Sequence, residues 1–277
     1  MTLKYLLFQF CLLNSCLYAH FYPREYLWDS EEVCVVFVCN KQYFSCFLDT
    51  VTALTTIGNY HGDICLIIGN DLLDDDLLNN PTLLNNNVQV KYFPDLQFPH
   101  DVFEIASTGL TFPYKRFQYH KFYVFNTYFK KWKTILYLDS GMQIYADIHK
   151  IIDIRQPNKL LAHSDAFPTY SWKLADQFNY NQKTIYNKLR NNFNLDIDYF
   201  QTTMMLFDTN IIQDNTFQDL YNLTLEYPIS NTNDQGIMAL YFTNIVPAWE
   251  QIPTRDEETF FYDFMKRTNQ KYIMTKR

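Results

Sequence analysis

The apolar positions of this chain fall into two kinds of run. Val33 to Val38 reads Val-Cys-Val-Val-Phe-Val, an unbroken and largely β-branched stretch, which is the pattern of a strand buried on both faces. Ile64 to Ile68 repeats the pattern and is closed by Gly69-Asn70. Val88 to Phe93 reads as a third strand, stopped by Pro94, and Thr134 to Leu138 as a fourth. Between the first two, apolar residues from Phe44 to Leu54 fall at helical spacing and run out near Gly58. Asp71 to Leu78, with its three consecutive aspartates, reads as a solvated turn or helix face. Residues 94 to 115, holding Pro99, Gly109 and Pro113, read as a loop, and 116 to 131 as a strongly amphipathic helix.

The second half is less regular. A short strand over 159–162 ends in His163-Ser164-Asp165, and residues 166 to 198 form a long polar and aromatic connection with helical character. A strand over 203–207 is followed by Asp208. Helices are predicted over 215–226 and 234–242, and Ile245-Val246-Pro247 reads as a terminal strand. There is no internal repeat and no linker. The order of elements predicts one α/β domain, with a mostly parallel central sheet flanked by helices. In such sheets ligands bind beyond the carboxyl ends of the strands. That directs attention to Cys39, Asn40 and Tyr43 after the first strand, and to Asp139, Ser140 and Gly141 after the fourth.

Composition narrows the chemistry. With 48% hydrophobic and 19% charged residues over 277 positions, the chain has ample material for a core and is not disordered. Its formal charge is −7 and it has no basic run, so the electrostatic footprint of a nucleic-acid binder is missing. Only 6 of the 277 residues are glycine, and none of them builds a Gly-x-Gly-x-x-Gly or Walker loop. A nucleotide must therefore be held by side chains. All six cysteines (11, 16, 34, 39, 46 and 65) lie in the first quarter without a Cys-x-x-Cys spacing, so zinc-ribbon and thioredoxin readings fail. Residues 1–19 carry one lysine, an apolar stretch and a small residue at Ala19. That is the outline of a signal peptide or membrane-associated segment, and it points to the secretory lumen or a membrane surface, with the cytoplasm as the alternative. The domain proper is then residues 20–277.

The sharpest chemical signal is Tyr137-Leu138-Asp139-Ser140-Gly141, where a buried strand delivers a carboxylate to its exposed end. Taken alone, such an aspartate also serves turn geometry. Three further segments accompany it in order: Asn40-Lys41-Gln42-Tyr43, His120-Lys121-Phe122, and Gln201-Thr202-Thr203 through Asp208 followed by Asn233-Asp234-Gln235-Gly236-Ile237. Together they resemble the GT-A glycosyltransferases that use nucleotide-sugar donors, above all the glycogenin-like family 8 group, from about residue 33 to 246. The resemblance implies that the Tyr43 region receives the base and that Lys121 faces the donor phosphates. It places Cys39, Asn40, Tyr43, Lys121, Asp139, Ser140, Gly141, His163 and Gln201 at the donor. It implies catalytic roles for Asp234, Gln235 and Asp165, with Asp234 as acceptor base or as an orienting group for hydroxyls.

The departures bear on the cofactor. The family's Asp-x-Asp motif here ends in Gly141, which has no side chain to coordinate with, and no histidine follows His163. Asp139 is left as the single carboxylate for Mn²⁺ or Mg²⁺, a weak or incomplete site. The expected function is transfer of a hexose from a UDP-sugar to a glycan or protein acceptor, with retention at the anomeric carbon. The alternatives are a degenerate GT-A domain that binds nucleotide-sugar or glycan without turnover, and a nucleotidyltransferase. The second is disfavoured because the first strand is not followed by a glycine-rich basic loop.

Overall fold

A computed structural model of the chain describes residues 32–106, 113–167, 169–253, 259–262 and 271–276. All belong to one compact unit, Glu31–Arg277. The segment 1–19, Cys11, Cys16, the acidic stretch 256–258 and the basic residues Lys266 and Arg267 lie outside the described residues.

Seven strands form the central sheet in the order β3-β2-β1-β4-β7-β6-β8. They are β1 (Val33–Cys39), β2 (Asp63–Ile68), β3 (Gln89–Tyr92), β4 (Thr134–Leu138), β6 (Leu160–Ala162), β7 (Met204–Asp208) and β8 (Trp249–Gln251). Pairing is parallel everywhere except on the two sides of β7, which runs antiparallel to both β4 and β6. The sheet is thus mostly parallel, as expected. The alternation along β1 explains its unbroken apolar run. Cys34 and Val36 join one buried cluster with Ile135 and Tyr137, while Val35 and Phe37 join a second with Leu136 and Leu138. Both faces are covered, so neither can be polar. The helix Phe44–Thr56 covers the second face through Phe47, Val51 and Leu54.

A smaller sheet, β5-β10-β9, comprises β5 (Met142–Ile144), β9 (Thr259–Tyr262) and β10 (Lys271–Lys276). No strand was expected at these positions; three of them are too short or too polar to announce themselves by alternation. Other expectations shift. The stretch read as one amphipathic helix over 116–131 is two 3₁₀ segments, Phe117–Phe125 and Thr127–Lys131, separated at Asn126, whose extended backbone and side-chain cap on Tyr128 N restart the chain. The loop 94–115 contains two short helices, His100–Ile105 and Pro113–Arg116. The terminal strand lies at Trp249–Gln251 and not at 245–247, because Tyr241–Ile245 continues the preceding helix Asp234–Leu240 as a single π-turn. The long connection 166–198 holds the helix Lys183–Asn192. No helix among the described residues is long and apolar enough to cross a membrane. The four described cysteines, 34, 39, 46 and 65, are free thiols.

Candidate active site

The reversed strand sets up the site. Because β7 runs against its neighbours, its beginning lies where β4 and β6 end. Asp139 N donates to Thr203 O at 2.9 Å, and Gln201 N donates to His163 O at 2.9 Å. The residues before β7, Gln201-Thr202-Thr203, are thereby held between Asp139 on one side and Asp165 on the other. Together with the start of the helix Asp234–Leu240 they line a cleft of about 270 Å³, whose wall is Gln118, Lys121, Asp139, Asp165, Gln201, Thr202, Thr203, Thr232, Asp234 and Gln235.

Lys121 is the centre of its charge. The ammonium lies 3.1 Å from Asp139 Oδ1 and 3.2 Å from Asp234 Oδ2. It also donates to Thr202 Oγ1 at 3.1 Å and to Thr202 O at 3.3 Å. The side chain is only 10% exposed. Burial works against its charge, yet the carboxylates of Asp139 and Asp234 outweigh that and hold its pKa above the usual lysine value. Asp234 is pushed the other way: burial and the nearby Asp139 raise its carboxyl, and Lys121 and the Thr202 hydroxyl (2.9 Å) only partly offset this. Such a triad breaks badly when one member is removed, since a buried charge is then left unmatched. The Tyr137 hydroxyl donates to Asp139 Oδ1 at 2.7 Å, which fixes the carboxylate from the sheet side. Lys121 is thus a buried, ion-paired residue and not a solvated one on a helix surface.

The opposite wall is an amide and carboxylate network. Asp165 accepts from Gln201 Nε2 through Oδ1 and from Gln235 Nε2 through Oδ2, at 2.5 and 3.0 Å. Thr203 Oγ1 donates to Gln201 Oε1. Gln235 Nε2 also donates to Gln177 Oε1 at 3.0 Å, and Thr232 Oγ1 donates to that same oxygen at 2.6 Å.

Of the residues expected at the site, Lys121, Asp139, Asp165, Gln201, Asp234 and Gln235 are brought together in the cleft. The others lie beside it. Cys39 is buried at the end of β1, and burial pushes its thiol up to about 12. Asn40 caps the turn Lys41–Tyr43, accepting from Tyr43 N at 3.2 Å, and leaves the Tyr43 ring 47% exposed. Ser140 Oγ donates to Val38 O at 3.2 Å. Gly141 takes φ +88, its N–H donates to Thr50 Oγ1 at 3.0 Å, and it turns the chain into β5. His163 is buried against Phe167, outside the cleft wall. Sequence reasoning missed Gln118, Thr232 and Gln177. Amides and threonines in a polar stretch carry no periodic signal, and only the fold shows where they converge.

A divalent cation needs several oxygen ligands at once. Asp139 offers one carboxylate, Gly141 offers nothing, and Ser140 adds only a neutral hydroxyl that donates to Val38 O. No group of three His, Cys, Asp or Glu side chains able to hold a metal exists among the described residues. The facing carboxylates are instead satisfied by the Lys121 ammonium. The described residues do not fit a divalent metal.

The sequence matches the model of glycosyl transferase family 8 over residues 34–268. No curated protein sequence matches it. Among solved structures the chain is similar to WbbM, described as a bifunctional glycosyltransferase in its apo form, with 18% identity over 90% of this chain and 46% of that one, at a TM-score of 0.54. It is similar to the glycosyltransferase GlyE of Streptococcus pneumoniae TIGR4, with 15% identity over 80% and 45% of the two chains and a TM-score of 0.51. It also resembles the galactosyltransferase LgtC, in a complex with donor and acceptor sugar analogs, at 13% identity over 85% and 78% and a TM-score of 0.53. The chain spans about half the length of WbbM and GlyE. At these identities the likeness is one of fold, and the fold is GT-A.

Proposed function

The chain belongs to glycosyl transferase family 8, a nucleotide-sugar glycosyltransferase domain, and from that premise we propose that it moves a hexose from a UDP-sugar to a hydroxyl of a glycan or protein. The observation that carries this reading is the pairing, in one cleft, of a buried cation with a wall of sugar-sized polar groups. Lys121 sits at the strand ends where a diphosphate would lie, and Asp165, Gln201 and Gln235 face it from the side where a hexose would lie. The exposed ring of Tyr43, beyond Asn40 at the end of β1, is the platform assigned to the base.

Transfer breaks the bond between the anomeric carbon and the diphosphate oxygen, and forms one to the acceptor oxygen. Negative charge collects on the departing UDP, where an ammonium stabilises it. Positive character develops on the sugar, where Asp165 and the amide oxygens favour it and orient the hydroxyls. The acceptor proton is assigned to Asp234, whose carboxyl burial raises above the usual carboxylate range. Retention of configuration follows the family premise.

The test is release of free nucleotide from a panel of UDP- and GDP-sugars incubated with the full chain. Release from a UDP-hexose is the expected result. A binding-only reading has one observation behind it, the single carboxylate of the Asp139-Ser140-Gly141 segment. It predicts no release from any donor together with a nucleotide-induced rise in melting temperature. That outcome would overturn the transferase reading.

A further inference from the structure

A primary amide can present either its oxygen or its nitrogen to a ligand, and which one it presents decides whether it helps or opposes a developing positive charge. At Gln235 the choice is made by its neighbours. An ionised carboxylate can only accept, so Asp165 Oδ2 at 3.0 Å requires the Gln235 nitrogen on its side. The second hydrogen of that NH₂ goes to Gln177 Oε1 at 3.0 Å. Both donors are then consumed, and Gln235, which lines the cleft, has only its Oε1 left to offer there.

We propose that Gln177, which no sequence motif marks, is the positioning residue that locks the Gln235 amide with its carbonyl oxygen facing the sugar. Three features make the lock specific. Gln177 is 4% exposed, so its own rotamer is held by packing. Its Oε1 receives Thr232 Oγ1 at 2.6 Å as well, so one buried acceptor serves two donors. The close approach of this segment depends on Gly236, where an added Cβ would lie 2.6 Å from Ser230 Oγ and 3.3 Å from Gln177 O. Gln177 and Asp165 together therefore set Gln235, and Gln235 aims an acceptor at the substrate. The proposal rests on the cleft's being the sugar-transfer site.

The test compares Gln177→Met, which keeps the shape and removes the acceptor, with Gln177→Glu, which keeps an acceptor for both donors. Gln177→Met should lower kcat by roughly 10- to 100-fold, the scale of a misaimed group held by an outer partner, with the donor KM changed less than about threefold. Gln177→Glu should recover most of that loss. In a Gln235→Met background, Gln177→Met should cost nothing further, because its effect passes through the amide. Additive losses in the double variant, or a Gln177→Met enzyme with kcat within twofold of the parent, would overturn the proposal while leaving the transferase reading intact. If the full chain releases no nucleotide, the transferase reading fails, and the lock is still decided by the exchange of the Gln235 side-chain amide hydrogens with solvent. That exchange should be about tenfold faster in Gln177→Met, and equal exchange would refute the lock.

Discussion

At the scale of the residue, Lys121 is the group on which most of the site's charge depends. Its ammonium is held within 3.2 Å of two carboxylates in a nearly closed environment. Lys121→Met should destabilise the fold by about 3–5 kcal/mol, because Asp139 and Asp234 then face each other unmatched. Asp234 is already raised, and without its cation it rises further. The penalty is therefore largest where both carboxylates are charged, and shrinks as pH falls through that raised value. The double variant Lys121→Met, Asp234→Asn should regain most of the stability but no turnover. Denaturant melts of the parent, the two single variants Lys121→Met and Asp234→Asn, and the double variant at two pH values check this, and simple additivity of the two losses would refute the coupling. The importance of Lys121 was legible in its place before the fourth strand, but its burial was not. Tyr119 through Phe125 are all buried, so the segment has no exposed face and periodicity cannot separate an α-helix from a 3₁₀ coil.

At the scale of the element, the strands buried on both faces were legible almost to the residue, since covering helices force an unbroken apolar run. Of the three-residue strands, β6 was legible to within one residue, whereas β5 was not expected and β8 was expected four residues too early. The turn after β4 shows why the missing second aspartate is an architectural change as well as a chemical one. Gly141 has φ +88, and its N–H is spent on Thr50 of the covering helix. A side chain there meets open space, with only Cys46 Cβ at 3.6 Å, but pays for a left-handed backbone. Gly141→Asp should therefore lower stability by about 1–2 kcal/mol. It should not make turnover metal-dependent, because no further ligand stands by among the described residues. Melting temperature and a Mn²⁺ titration of the variant test both halves, and a gain of Mn²⁺-stimulated activity would count against this account.

At the scale of the whole molecule, an acidic chain of net charge −7 must bind a doubly negative diphosphate, so the attraction has to be local. In the cleft the described residues offer it as the Lys121 ammonium, which a diphosphate gains by displacing the Asp139 or Asp234 carboxylate from it. Nucleotide release should accordingly survive EDTA with less than about a twofold loss, and a strict requirement for Mn²⁺ would mean that ligands beyond the described residues complete a metal site. The amide wall was legible only in part. Asp165, Gln201, Asp234 and Gln235 stand next to strand or helix ends that pattern can locate, whereas Gln177 and Thr232 come from connections with no pattern of their own.

The reversed strand also works as a ruler. Sliding β7 by two residues would keep every apolar side chain on its present face of the sheet, but would carry Gln201, Thr202 and Thr203 about 7 Å along the strand direction. Asp139 N would lose Thr203 O, and Asp165 would lose Gln201. A molecule folded one step out of register would therefore look native by its helix and strand content and be silent as a catalyst, so turnover per mole of protein measures how faithfully this one strand was placed.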